Sequence, residues 1–394
     1  MDADIIIVGG SIAGNYLASL LAKQGIRALV LEEHPEERIG EPVHCTGIIS
    51  QKITRLVNFP SDIILNRVKE AAIYSPSGKH IIVGSPRESP VVIDRARFDR
   101  YFYEEAVAGG ARYVTGIRVR DVKTGPWGVK LFSNRGTFEG NIVVGADGPM
   151  SVVARHFGVR HNFIYGVQAR VRMDYPNNRT DLHFNPYWRD FFAWIVPEGN
   201  GICRVGLAAK SQPRLCFQYF LRQQGISRPQ FVNTHGGLIP IGFPGSQAFS
   251  RAILLGDAAC QVKATTGGGI VMLISAAQIA ANALMIAIER EQYSRAHFMN
   301  EYQIPCEESI GRELKVHYLL HSLLRRFKQS DWEKIFKLYN ATDMRNVFSI
   351  YGDMDFPKNF LFKLLGNPHI FSLLLNLLGK NLPVLRDIMK IWKR

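Results

Sequence analysis

Residues 5–8 form an unbroken run of β-branched apolar side chains, and residues 28–31 form a second apolar run. Short runs with no polar alternation suit strands buried on both faces of a parallel sheet. Between them, Gly9-Gly10-Ser11-Ile12-Ala13-Gly14 predicts a tight turn and residues 15–24 a helix, so the first thirty residues read as one βαβ unit. Two later runs, 141–145 and 252–255, have the same character and lead to Asp147-Gly148 and Gly256-Asp257. Alternating patterns predict hairpins over 70–74 with 80–83 and over 129–138. A helix is expected over 98–108, a strand over 111–119 and helical structure over 48–56. From 164 to 206 the pattern is strand after strand (166–173, 180–184, 190–196, 201–208) with no helix between, and residues 236–240 close the set. That spacing predicts an antiparallel sheet separate from the first domain. A long helix of small residues is expected over 271–289, and only helices beyond 300.

The pattern predicts an α/β chain whose first domain is interrupted. Residues 1–65, 92–160 and 247–300 make a Rossmann-type dinucleotide domain. Residues 66–91 and 161–246 make an antiparallel-sheet substrate domain, and 301–394 a helical C-terminal region. Within the first unit the chemistry is specific. Gly9 permits the turn, the small Ser11 lets the backbone approach a pyrophosphate, and Gly14 lets the helix pack close to the strand. The helix N-terminus offers N–H groups to phosphate. Glu32, eighteen residues after Gly14, is placed to accept from a ribose hydroxyl. Ser11 replaces the second glycine of the usual fingerprint, and its hydroxyl is a candidate donor to phosphate. Gly267-Gly268-Gly269, opening the long helix, is a second place where backbone can approach an anionic ligand. In the strand Phe192-Ala193-Trp194-Ile195-Val196-Pro197, Phe192, Trp194 and Val196 share one face, which reads either as core or as the wall of an elongated apolar pocket.

Composition narrows the partners. The net charge is +14. No nucleic-acid motif accompanies it, and residues 310–394 carry fifteen Lys or Arg against seven Asp or Glu, interleaved with Leu, Phe and Ile. That mixture favours an anionic membrane surface over nucleic acid. Neither apolar stretch beyond 360 reaches the roughly 20 residues of a spanning helix. Five scattered cysteines (45, 203, 216, 260, 306) show no metal or disulfide spacing, and no basic segment precedes the first strand. A cytoplasmic protein, peripheral at the inner face of the membrane, is expected.

Four elements in order resemble the glutathione-reductase-like FAD fold of p-hydroxybenzoate hydroxylase-type flavoproteins: Gly9-x-Ser11-x-x-Gly14 with Glu32, then Arg95, then Asp147-Gly148, then Gly256-Asp257. Within it, Pro42-Val43-His44-Cys45-Thr46-Gly47, the Phe192-x-Trp194-x-Val196-Pro197-x-Gly199 strand and Gly256-Asp257-Ala258-Ala259 to Gly267-Gly268-Gly269-Ile270 are similar to the geranylgeranyl reductase family, over about residues 1–300. The resemblance implies FAD held by Gly9, Ser11, Ala13, Gly14 and Glu32, with Cys45, Thr46 and Ile48 along the flavin. Arg95, Val119, Asp257, Gly269 and Ile270 complete the cofactor contacts. Phe192, Trp194, Val196, Pro197 and Gly267 would bind the prenyl chain. Val196 and Ala264 stand where the family often has an aromatic and a proline.

The implied reaction gives a hydride from reduced FAD and a proton to an isolated C=C bond, with Cys45 or water as proton source. Digeranylgeranylglycerol phospholipids are the implied substrate, and chlorophyll or menaquinone tails are alternatives. The electron donor is ferredoxin or NADPH. A monooxygenase or halogenase of the same fold and a flavin-containing lipid-binding protein without turnover are the rival readings.

Overall fold

Ala3–Val8 becomes the centre of a parallel sheet. Ile5 lies opposite Ala28 of Ala28–Leu31 on one side and opposite Ile142 of Gly136–Gly145 on the other. Arg112–Val114 extends the first flank and Ala252–Leu254 the second, both in parallel. The chain therefore leaves this sheet after residue 145 and returns at 248, where Ala248–Phe249 pairs with Ala252–Leu254. In this computed structural model residues 2–84, 89–227, 230–341 and 344–366, with 368 and 372, are described.

Side chains alternate across the central strand, as its period of two demands. Ile5 and Ile7 face the helices Ile12–Lys23 and Ile270–Glu289, while Ile6 and Val8 face the layer built from Val119–Gly125 and Gly128–Ser133. Ile5, Ile6 and Ile7 are fully buried, each contributing roughly 1.5–3 kcal/mol. Ile270–Glu289 is long and apolar enough to cross a membrane by length and composition. Its most apolar window is 67% buried inside the protein, and it packs against Ile12–Lys23 as a core helix.

The second sheet has seven strands in the order Phe231–Ile241, Asn162–Arg172, Ile202–Ala209, Ala193–Gly199, Arg179–His183, Glu70–Tyr74, His80–Gly84. Every join is antiparallel except that between Arg179–His183 and Glu70–Tyr74. The exception arises because the 70–84 hairpin comes from an earlier part of the chain and docks on the sheet instead of turning into it. Helix Pro213–Gln223, absent from the sequence expectation, covers one face through Phe217, Phe220 and Leu221.

Two local expectations are corrected. Residues 48–56 are not one helix: Ile48–Ile49 pairs with Val91–Ile93, and only Ile53–Leu56 is helical. Residues 111–119 are not one strand. Arg112–Val114 ends before Gly116, whose φ of +68° turns the chain, and Val119 opens the next strand.

Beyond residue 300 the described chain is helical, ending with Arg312–Leu324, Gln329–Ala341, Met344–Tyr351 and Lys358–Leu365. These helices lie against the far edge of the second sheet. Trp332, Phe336 and Tyr339 cluster with Ile81, and the Tyr339 hydroxyl donates to the Ile82 carbonyl at 2.6 Å. The basic, apolar segment expected to touch membrane, from Lys380 to Arg394, lies outside the described residues.

Candidate functional site: a two-part cavity between the sheets

The glycine turn is tight for a steric reason. Gly9 has φ +102°, and a Cβ there would stand 2.4 Å from the Ala146 carbonyl oxygen. A Cβ on Gly14 would stand 1.9 Å from the Gly9 carbonyl oxygen. Glu32 closes the turn: its Oε2 accepts from the Gly10 N–H at 2.6 Å, and its Oε1 accepts from the His34 N–H at 2.8 Å. Ser11 does not have a free hydroxyl. It donates to Asp99 Oδ2 at 2.7 Å, and the Ile12 N–H donates to the same oxygen at 3.2 Å. Asp99, 3% exposed, thus caps the helix from a distant element and is in turn paired with Arg95 Nη2 at 2.8 Å. Burial opposes the Arg95 charge, and the Asp99 carboxylate and the Cys45 sulfur more than offset it, so Arg95 stays cationic.

Across the cavity lies the loop 42–47. The Cys45 sulfur accepts from the Gly47 N–H at 3.2 Å and adjoins the Arg95 guanidinium. Arg204 Nη1 donates to the Thr46 carbonyl at 2.6 Å, and its Nε donates to Glu198 at 2.8 Å. Gly47, at φ +72°, leaves room for that guanidinium: a Cβ there would meet Arg204 Nη1 at 2.2 Å. On the opposite wall, the turn 263–268 closes on Lys263, whose carbonyl accepts from Gly267 at 2.8 Å. Asp257 follows the 252–254 strand on this wall. Burial raises its pKa to about 6 against the pull of Arg95.

The floor is a single transverse row of the second sheet. In register, His235 faces Gln168, Gln168 faces Gly206, Gly206 faces Trp194, Trp194 faces Leu182, Leu182 faces Ile73, and Ile73 faces Ile81. All of these except Gly206 line the cavity. The row passes from polar to wholly apolar. The five steps from Gln168 to Ile81, at about 4.8 Å per strand, span about 24 Å. The cavity holds about 1380 Å³, above the roughly 300–1,000 Å³ of an ordinary ligand pocket. Its first part is the turn, Glu32, Asp257 and the two loops. Its second is an apolar arm, roofed by Leu324, Trp332, Phe336, Met344 and Phe348 of the C-terminal helices. The C-terminal region therefore builds the site, which its sequence does not reveal.

The roof is tied down by buried polar contacts. Lys263 Nζ donates to Asp355 Oδ1 at 2.6 Å, Thr265 Oγ1 lies 2.5 Å from His317 Nδ1, and His317 Nε2 lies 3.0 Å from the Asp355 carbonyl. Because that carbonyl only accepts, Nε2 carries the proton and Thr265 donates to Nδ1. Burial lowers the pKa of His317 and of His321 to about 4, with Lys263 and Arg325 respectively adding to the shift. An unfolded histidine titrates near 6.5. Between about pH 6.5 and 4 the unfolded chain binds more protons, so stability is present above that window and falls as pH drops through it. Denaturant midpoints should hold from pH 8 to 7 and decline below 6.5, and His321→Leu should flatten the decline. A wild-type midpoint unchanged down to pH 4.5 contradicts this.

Of the residues singled out from sequence, Gly9, Ser11, Ala13, Glu32, Cys45, Thr46, Ile48, Arg95, Val119, Asp257, Gly267, Gly269, Ile270, Phe192, Trp194 and Val196 lie on this one cavity wall. Gly14 lies behind the turn. Pro197 falls on the opposite strand face from Val196, and its carbonyl accepts from Asn66 Nδ2 at 3.0 Å. The alternation is clear: Phe192, Trp194 and Val196 join the cavity-side cluster, whereas Ala193 and Ile195 join the cluster under Pro213–Gln223. Asp99, Gln168, Arg204 and His317 were missed. For Asp99 a signal existed, since Asp at the fourth residue after Arg95 is an i,i+4 pairing.

The tight glycine cradle, the acid closing it and the start of the helix at the cavity wall suit the ADP half of FAD. The family model described as FAD binding domain matches residues 2–58. A protein named digeranylgeranylglycerophospholipid reductase 2, from Methanothermobacter thermautotrophicus, is 27% identical over 378 residues, covering 89% of this chain and 95% of its own. A solved geranylgeranyl bacteriochlorophyll reductase-like protein from Thermoplasma acidophilum is similar in fold, with TM-score 0.81, 23% identity and coverage of 95% and 99%. A halogenase mutant solved with FAD is more distant, at TM-score 0.65, 14% identity and 96% coverage of each chain. The cofactor is FAD, and over most of its length the chain is similar to geranylgeranyl reductase flavoproteins.

Proposed function

We propose that this protein saturates the isolated double bonds of geranylgeranyl chains carried by digeranylgeranylglycerophospholipids. The observation that supports this reading is the joined cavity: a dinucleotide cradle opens without interruption onto a long apolar arm, and Gln168 and His235 stand at the polar end of its floor row. In this reading the 1–65, 92–160 and 247–300 segments hold FAD, the 66–91 and 161–246 segments the prenyl chain, and the C-terminal helices the roof.

Gly9, Ser11, Ala13 and Gly14 shape the seat of the pyrophosphate, with Glu32 at the ribose and Asp257 toward the ribityl chain. Cys45, Thr46 and Ile48 would contact the flavin, and Arg95 and Val119 would complete the cofactor contacts. Gly269 and Ile270 would contact the flavin, and Gly267 would meet the prenyl chain. Bound and reduced, FAD supplies two electrons and one hydrogen to a carbon–carbon double bond. Phe192, Trp194 and Val196 give that bond a dry wall and hold the chain extended. Cys45, whose sulfur accepts from the Gly47 N–H and adjoins the Arg95 guanidinium, would deliver the proton, and solvent would replace it. Burial of reactants in such a wall converts alignment into rate.

An electron donor is required, and ferredoxin and NADPH are the two candidates. The basic C-terminal sequence favours docking on an anionic membrane, and the five unpaired cysteines fit the cytoplasmic side. The test is product mass. With dithionite or the physiological donor, digeranylgeranylglycerophospholipid should gain two hydrogens per double bond. Product carrying oxygen or halogen would instead establish the monooxygenase or halogenase reading of the same fold.

A further inference from the structure

One polar side chain of the cavity floor stands where the cofactor part meets the apolar arm. Gln168 is 7% exposed. Trp194 Nε1 lies 2.9 Å from Gln168 Oε1. Indole N–H is a donor only, which assigns that amide atom as the oxygen. Thr46 Oγ1 lies 2.9 Å from the same oxygen and therefore donates to it. The amide is thus held by two donors, one from the loop that carries Cys45 and one from the apolar wall.

The contact with Trp194 spans a whole strand. Gln168 and Trp194 sit on either side of Ile202–Ala209, both opposite Gly206. A Cβ at 206 would stand 2.5 Å from Trp194 Cζ2. The missing side chain is the gap in which the indole lies. Arg204 also grips the loop, from the buried Glu198 side, through a backbone carbonyl.

We propose that Gln168 is a positioning residue: by joining Thr46 to Trp194 it holds the flavin-side loop in register with the wall along which the prenyl chain lies, and so sets where a double bond meets the cofactor. This rests on the reductase reading above. A positioning role acts on the aligned complex, where a misplacement of about 1 Å costs on the order of 100-fold. Binding of the long apolar chain, spread over the whole row, is little changed.

The experiment compares wild type, Q168L, Q168E, W194F and Q168L/W194F as FAD-loaded proteins. Two readouts are taken: lipid reduction as kcat and KM, and the visible circular dichroism of bound FAD without lipid. Q168L should lower kcat about 10- to 100-fold, leave KM within about threefold, and change the flavin spectrum. Q168E keeps an acceptor for both donors and should restore the spectrum and most of kcat. The double variant should be no worse than Q168L, because both changes cut one link. The proposal is overturned by an unchanged kcat and spectrum in Q168L, by additive losses in the double variant, or by Q168E no better than Q168L. Should Q168L fail to fold, T46V and W194F, each removing one donor, must both shift the flavin spectrum, and no shift overturns the proposal. If the spectra follow this pattern while wild type reduces no prenyl lipid, the linkage stands and the lipid reading falls.

Discussion

A Gly14→Val protein should elute from purification colourless. A side chain at 14 would begin 1.9 Å from the Gly9 carbonyl oxygen and 3.2 Å from Ile7 Cγ2. Its neighbours there are backbone and a fully buried strand residue, so nothing flexible gives way. The helix Ile12–Lys23 must move off Ala3–Val8, and with it go the Asp99 cap on Ile12 and the N–H groups facing the cavity. The measurement is the ratio of flavin to protein absorbance, and a loss of roughly 5- to 150-fold in FAD affinity is expected, from the roughly 1–3 kcal/mol that overpacking a core site costs. Gly25→Ala is the matched control. Its added Cβ meets nothing within 4 Å, and only its φ of +72° is unfavourable, costing about 1 kcal/mol of stability with flavin content unchanged. Equal flavin loss in both variants would contradict the cradle.

Lys263→Met should be the most destabilising single change in the roof. Lys263 and Asp355 are a buried pair, with side chains 5% and 0% exposed. Asp355 Oδ2 already lacks a partner. Removing the ammonium leaves a buried carboxylate uncompensated, at a cost of about 3–5 kcal/mol. The same side chain underlies the turn opening the long helix, since a Cβ on Gly268 would lie 3.3 Å from Lys263 Cε. Flavin-side turn and roof should therefore loosen together. Adding Asp355→Leu removes the stranded charge, and the Lys263→Met/Asp355→Leu protein should regain most of the loss, because apolar replacement of a whole buried pair is often near neutral. Denaturant midpoints of the three variants measure this. A double variant less stable than Lys263→Met would refute the stranded-charge explanation.

What was legible from sequence was local or periodic. The turn from Gly9 to Gly14, with Glu32 one strand later, follows from a unit of about thirty residues. Phe192, Trp194 and Val196 share a face because strand side chains alternate. What was hidden depends on partners far along the chain. Asp99 reaches Ser11 from 88 positions away, so a hydroxyl expected to be free for phosphate is already bonded. The link from Gln168 to Trp194 depends on three strands in one register and on a glycine in the middle one, and no single strand carries that information. The roof escaped notice because helices such as Gln329–Ala341 carry ordinary apolar faces. Only their docking against Ile73, Ile81 and Phe184 shows that those faces enclose a cavity. Residues 48–56 were misjudged because Ile48–Ile49 pairs with Val91–Ile93, and two-residue strands leave no period to detect.

The central claim, that one cavity brings reduced flavin and prenyl double bond together, is tested most directly by an anaerobic titration. FAD-loaded protein is reduced with one equivalent of dithionite, and digeranylgeranylglycerophospholipid is added while flavin absorbance and lipid mass are followed. The account predicts reoxidation of the flavin by lipid alone, with one double bond saturated for each flavin reoxidised. Flavin that stays reduced in the presence of the lipid, yet reoxidises when oxygen is admitted, would contradict it.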